Sequence, residues 1–429
     1  METNVVTAIP AQGFTAVLSI WPWGAVTAAV AFLCALAIQR MAGGLALRPL
    51  RHGALGHWTE RARLAYPGWV TLTLGQIFQP CLWLLAVGVF ERRGIGVVPL
   101  VGLAAFIGAG VASVRLESRV RERPVSLLDW ARAWAVQCLF YLAPCVVLIV
   151  LIPWLPDKFN WSVLWLALAY LGLLLILSLG GTLVLARWTG LLRPAPERLQ
   201  AIVDLAVRRM GVQRPVACVL RWKAANALAF PFGRVVAVTD VALNSCTEEE
   251  LLAICCHELS HLNEPRRIHF ARLASLFAWL PLFFMRPLCG ALGSQAGSLV
   301  ALVSFLLARL VVGRMRLALE KRADSAGQAH EGEAGTYARA LEKLYQINLM
   351  PAVTRSWFLT HPHLYDRLLA VGITPDYPRP RPPSPWRAKV ALAFLFLGTI
   401  FCVFLWMGVV QKVQLPAKGS SPLPSQFTK

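Results

Sequence analysis

Residues 247–261 read TEEELLAICCHELSH, and this stretch decides how the rest of the chain is to be understood. Thr247, followed three residues later by Glu250, has the spacing of a capping box, in which a hydroxyl and a carboxylate each take an orphan backbone N–H at a helix start. The run LLAICC continues that helix in apolar residues and gives way to polar ones at His257. His257 and His261 are four apart, so a helix sets them one turn apart on one face, where both imidazoles can reach a single zinc ion at about 2.0–2.1 Å. Glu258 stands beside the first of them, placed to hold a water molecule and take its proton. Two histidines at this spacing also occur as a satisfied surface or core pair, so the surroundings have to decide.

Upstream, residues 196–210 (PERLQAIVDLAVRRM) space their apolar positions as an amphipathic helix. The short runs 215–222, 226–232 and 235–239 are β-branched or alternating and are separated by turn residues, which predicts a small antiparallel sheet. Downstream, a hydrolytic zinc site needs a third protein ligand and an open position for water. The sequence Glu320-Lys-Arg-Ala-Asp324 opens a polar helix with two acids again at i and i+4. Glu320 can complete a His2Glu set, and Asp324 can accept the far N–H of a ligating histidine and fix its tautomer. The other reading is an exposed acidic pair among Arg314, Arg316, Lys321 and Arg322.

The whole chain of 429 residues is 57% hydrophobic and only 15% charged, with a mean hydropathy of +0.57. That excludes an ordinary soluble enzyme, and 16 Trp with 20 Phe exclude disorder. The expected class is a mainly α, polytopic membrane protein with about eight transmembrane helices. Apolar segments run at 14 to 38, 68 to 90, 94 to 114, 134 to 155, 161 to 186, 273 to 292, 296 to 312 and 390 to 410. Arg286 and Arg309 make the 273 to 312 hairpin unusual, because arginine at mid-bilayer must snorkel or line a wet cavity. The formal charge of +20 is read as topology and anionic-lipid contact rather than nucleic-acid binding. Arg40, Arg48, Arg51, Arg61, Arg63 and then Arg115, Arg119, Arg121, Arg123, Arg132 fill alternate loops. This expectation places the N-terminus outside and the catalytic segments on the cytoplasmic side. No removable signal peptide is read, and the ten Cys are read as reduced thiols.

The expected organisation is a five-span membrane region at 1–190, a catalytic core at 191–266, a membrane hairpin at 267–313 and a helical region with the third ligand at 314–375. A Pro/Arg linker at 376–389, a last span at 390–410 and a tail at 411–429 complete it.

Four pieces in order resemble the integral-membrane zinc metalloproteases, the family that includes the CAAX prenyl endopeptidase and the HtpX-type quality-control proteases. They are Asn226-Ala-Leu-Ala229, HELSH at 257–261, EKRAD at 320–324 and Thr360-His-Pro-His-Leu-Tyr-Asp-Arg367. The resemblance implies a small α+β zincin-type catalytic domain holding one Zn2+ per chain through His257, His261 and Glu320. It implies Glu258 as general base, Asp324 behind a ligand, and Asn226 holding substrate backbone beside an edge strand. It further implies that His361 stabilises the oxyanion and that Arg367 supports that neighbourhood. Three residues before Glu320, where the family often carries Arg, this chain has Leu317.

The resulting expectation is a membrane-embedded zinc endopeptidase acting on membrane proteins or membrane-bound peptides in quality control, in contact with the lipid bilayer and without nucleic acid. The composition, rich in Arg, Ala and Leu, points to a bacterial cytoplasmic membrane. A signalling metalloprotease with one dedicated substrate, and processing of lipidated peptides, are the alternatives.

Overall fold

Long runs of helix-compatible apolar residues broken by Pro, Gly and Arg-rich joints give a mostly helical chain. The computed structural model describes residues 12–51, 57–90, 98–121, 124–151, 155–354 and 363–414. The helices are α1 (Gln12–Ala46), α2 (Trp58–Phe90), α3 (Val98–Arg121), α4 (Leu127–Phe140), α5 (Ala143–Leu151), α6 (Trp161–Ile176) and α7 (Thr182–Trp188). After strand β1 (Leu192–Pro194) comes α8 (Glu197–Met210), then β2 (Val216–Leu220), β3 (Ala227–Phe230) and β4 (Val235–Thr239). Next come α9 (Asp240–Ser245), α10 (Glu248–Leu262), α11 (Arg266–Ala274), α12 (Leu280–Phe283) and α13 (Met285–Leu292). The chain continues as α14 (Ser294–Ala329), α15 (Thr336–Asn348), α16 (Leu364–Ala370) and α17 (Pro385–Gln414).

Five helical stretches are long and apolar enough to cross a membrane, or up to six if a bent pair counts as one span. They are Trp23–Ala46, Leu100–Arg121, Trp161–Trp188, Ser294–Ala329 and Pro385–Val410; the bent pair is Arg266–Phe283 with Met285–Leu292, at 42°. The eight expected spans therefore reduce to five or six among the described residues. The segment 134 to 155 is divided between α4 and α5, whose 14 and 9 residues are each too short. The segment 68 to 90 lies within α2, which carries Gln76, Gln79 and Pro80, and is not among the five. In the span Trp161–Trp188, Gly180 adopts a φ of 142°, a value open to glycine, and this separates α6 from α7.

The chain forms two compact units. One comprises Met1–Leu55, Leu64–Leu127 and Ser384–Lys429; the other comprises Gly56–Arg63 and Leu128–Pro383. In the first, alanines of α1 and α3 (Ala28, Ala31, Ala35, Ala105, Ala109) close around Trp83 of α2, and α17 adds Val403 and Met407. Small side chains let these backbones approach closely where no water drives association. Gln79 donates to Gln39 Oε1 at 2.8 Å, and Gln39 Nε2 reaches the Leu72 carbonyl at 3.0 Å and Ser113 Oγ at 3.1 Å. Gln76 and Gln79 are thus buried within this helical unit.

The second unit holds a four-stranded sheet in the order β1-β2-β4-β3. It corrects the expected all-antiparallel sheet, since β2 and β4 run parallel while β1–β2 and β3–β4 are antiparallel. All five residues of β4 (VVAVT) are buried, so this strand belongs between two others, and the chain leaves β2 to form edge strand β3 before returning between them. The amphipathic helix predicted at 196–210 is α8, and its Leu199, Ile202, Val203 and Ala206 share one core with Leu251, Leu252, Cys255 and Leu259 of α10.

One further boundary differs from the sequence reading. The apolar segment 296 to 312 and the polar Glu320 segment are one continuous helix, α14, of 36 residues. A change of polarity at Gly313 does not break a backbone that lacks proline. At about 1.5 Å per residue such a helix is roughly 54 Å long, well beyond the ~30 Å hydrocarbon core. In the hairpin, Arg286 pairs with Asp157 at 2.7 Å and Arg309 lies over the Trp279 ring at 5.9 Å.

Candidate metal centre

The capping box at the start of α10 forms as its spacing predicts. The Thr247 hydroxyl accepts from the Glu250 N–H at 3.2 Å, and the Glu250 carboxylate accepts from the Thr247 N–H at 2.8 Å. The helix then runs fully buried from Leu251 to Leu262, packed against α8, β3, α14 and α15. Its burial carries the polar motif inside: His257, Glu258 and His261 are each 8% exposed.

Across from them, α14 presents Glu320. Ligand atoms of His257, His261 and Glu320 all lie within 4.8 Å of one another. The His257 Nε2 to Glu320 Oε2 distance is 3.5 Å and that from His261 Nε2 to Oε1 is 3.7 Å. A tetrahedral ion with bonds of about 2.0–2.1 Å sets its ligands about 3.3–3.4 Å apart, so these separations are close to the edges of such a tetrahedron.

The far nitrogens are engaged elsewhere, and hydrogen-bond accounting assigns the tautomers. Tyr337 of α15 donates its single O–H to Asp324 Oδ1 at 2.7 Å, so it accepts from His257 Nδ1, also at 2.7 Å. Asp324 in turn takes Arg367 Nε at 2.9 Å and a second, shorter bond from Arg367 Nη2. On the other side, Glu264 accepts from His261 Nδ1 at 2.9 Å while Arg272 donates Nε and Nη2 to its two oxygens. A carboxylate only accepts, so His261 Nδ1 carries the hydrogen. Both Nε2 lone pairs are thereby left for a cation.

The electrostatics agree. Burial opposes protonation of both imidazoles, but Asp324 and Glu320 around His257, and Glu264 and Glu320 around His261, override it. The pKa of His257 rises and that of His261 is pushed up to about 10. Such surroundings call for positive charge between the rings, which a divalent cation supplies once the protons leave. Burial raises the Tyr337 phenol well above its usual value, keeping it a donor, and His261 with Arg272 hold the Glu264 carboxyl below the carboxylate range against its burial. Two nitrogens and one carboxylate oxygen, with the outer nitrogens fixed, therefore fit zinc.

The structure brings His257, Glu258, His261, Glu320 and Asp324 together, with Arg367 behind Asp324. Asp324 lies 3.3 Å from His257 Nδ1, but Tyr337 makes the shorter contact. Asn226 opens edge strand β3; its N–H donates to Thr239 Oγ1 and its carbonyl accepts from the Thr239 N–H, both at 2.9 Å. His361 lies outside the described residues. Three residues escaped the sequence reading: Tyr337, Glu264 and Arg272. Glu264 had a local signal, an acid three residues after His261 and just past the end of α10, whereas Tyr337 is 80 residues from the histidine it meets.

A buried HExxH helix facing a glutamate defines a metallopeptidase-type centre. Residues 195–372 match peptidase family M48. The chain is similar to Protease HtpX homologs from Methanothermobacter thermautotrophicus (29% identity, 34% of this chain, 58% of the relative) and Thermococcus sibiricus (29%, 37% and 60%). A third, from Pyrobaculum calidifontis, is 28% identical over 62% of this chain and 80% of its own length. The segment 195–372 is thus similar to M48 peptidases, and the chain around it to proteases of the HtpX type. It spans 58–60% of the length of the first two relatives.

Proposed function

We propose that this protein is a zinc endopeptidase that hydrolyses peptide bonds of membrane proteins or membrane-bound peptides, in membrane-protein quality control. The observation that carries the reading is the convergence of His257 and His261 of the buried helix α10 with Glu320 of α14, their ligand atoms within 4.8 Å of one another. His257, His261 and Glu320 would hold the ion. When bound, zinc supplies Lewis acidity that polarises a carbonyl and brings the pKa of water to about 7. Glu258, next to the first ligand, takes the proton of the attacking water and returns it to the leaving amine. The free side of β3 receives the substrate backbone as an added strand, with Asn226 at its entrance. His361 is assigned the oxyanion by the family resemblance. The candidate spans support an integral membrane location; the loop charges support a cytoplasmic active side, and the Arg-, Ala- and Leu-rich composition a bacterial membrane.

The test is Glu258→Gln in detergent-purified protein incubated with an unfolded membrane protein. The variant keeps stoichiometric zinc and loses cleavage. Undiminished proteolysis by a contamination-free preparation overturns the mechanism. Cleavage by the wild-type protein of one dedicated partner, and of no unfolded membrane protein, overturns the quality-control role and leaves a signalling protease.

A further inference from the structure

We infer that Glu264 and Arg272 form a positioning pair that fixes the His261 imidazole and thereby ties metal affinity to the bent apolar helix pair. This rests on the metal-centre reading above.

Glu264 follows Asn263, the residue that caps α10, and its side chain is only 2% exposed. A carboxylate so buried needs charge-assisted partners on both oxygens. It has them: His261 Nδ1 at 2.9 Å and Arg272 Nη2 at 2.7 Å on Oε1, with Arg272 Nε at 2.9 Å on Oε2. The guanidinium fork sets the plane of the carboxylate, and the carboxylate sets the ring orientation and tautomer of His261. Without that acceptor the imidazole is free to turn about its side-chain bonds and to move its proton to the nitrogen that should ligate.

The origin of the donor gives the pair its further meaning. Arg272 belongs to α11, the first helix of the bent pair Arg266–Phe283 and Met285–Leu292, and its carbonyl accepts from Ser275 Oγ at 2.6 Å. His257 is braced from α14, α15 and α16 through Asp324, Tyr337 and Arg367. The two braces share no residue, so each histidine reports on a different set of elements. A displacement of the bent pair would release His261 and leave His257 in place.

The experiment measures zinc affinity by chelator competition on the purified full chain, with the visible spectrum of the cobalt-substituted protein as a second readout. Glu264→Ala and Arg272→Ala each weaken zinc binding by 10–100-fold and alter the cobalt bands. The double variant is no weaker than the worse single, because both act through one contact, whereas Glu264→Ala combined with Asp324→Ala multiplies the losses. Arg272→Lys, which keeps charge but not the fork, recovers part of the affinity. Should Glu264→Ala fail to fold, Glu264→Gln carries the test, with an intermediate loss. Variants that bind zinc as the wild type does, with an unchanged cobalt spectrum, overturn the inference even if they melt at lower temperature, since that is what a purely structural staple would do. A wild-type protein that takes up no zinc overturns the metal-centre reading itself.

Discussion

Both compact units bury polar side chains, but the first joins its helices through neutral ones, its buried ion pair Glu117–Arg121 lying within the single helix α3. In the first, Gln39, Gln79 and Ser113 form a neutral ladder between α1, α2 and α3. In the second, the buried Glu264 and the half-buried Asp324 are carboxylates, each gripped by an arginine and each serving a histidine. The neutral ladder tolerates imperfection: Gln79 Oε1 and Trp83 Nε1 are buried without a hydrogen-bond partner among the described residues. The ionic network cannot, because removing one partner of a buried charge pair leaves the other uncompensated at a cost of about 3–5 kcal/mol. A protein that must bury charge to hold a cation surrounds that charge with fixed counter-charges; a helix bundle needs only approximate satisfaction.

The contrast breaks most sharply at Glu320. Glu320→Ala leaves two histidines, and zinc content after dialysis, measured by atomic absorption, falls far below stoichiometric. Stoichiometric zinc with full activity would place the third ligand elsewhere. Asp324→Ala is milder, about 10–100-fold in zinc affinity, and Tyr337→Phe falls below it, because Asp324 remains 3.3 Å from His257 Nδ1 and takes over the contact. Equal losses in those two variants would show that the phenol rather than the carboxylate orients the ring.

On the neutral side, Gln79→Leu costs about 0.6–1.7 kcal/mol of stability in detergent unfolding, the range for hydrogen bonds between membrane helices, with zinc content unchanged. A zinc-binding defect there would tie the ladder to the metal centre and end the contrast. Lys321→Ala is the smallest change: the residue is exposed and off the face that carries Glu320 and Asp324, so both zinc content and melting temperature stay at wild-type values.

What could be read from the chain alone follows from short-range geometry. The capping box, the i, i+4 pair of histidines, the matching pair Glu320 and Asp324, and the amphipathic face of α8 depend on the pitch of a helix, which any helical segment shares. The arrangement of β2 and β4, the unbroken course of α14 and the partners of the two imidazoles depend on which elements meet. The parallel pairing of β2 with β4 answers to the burial of VVAVT on both faces, and alternation within a strand says nothing of its neighbour. Asp324 was legible as an acid behind a ligand, yet Tyr337 between them was not, since a tyrosine in an amphipathic helix carries no mark of the histidine it will meet. Glu264 and Arg272 show the same limit. The acid lies one turn beyond His261, within reach of a local rule, but only the packing of α11 against the end of α10 delivers the arginine that makes its burial affordable.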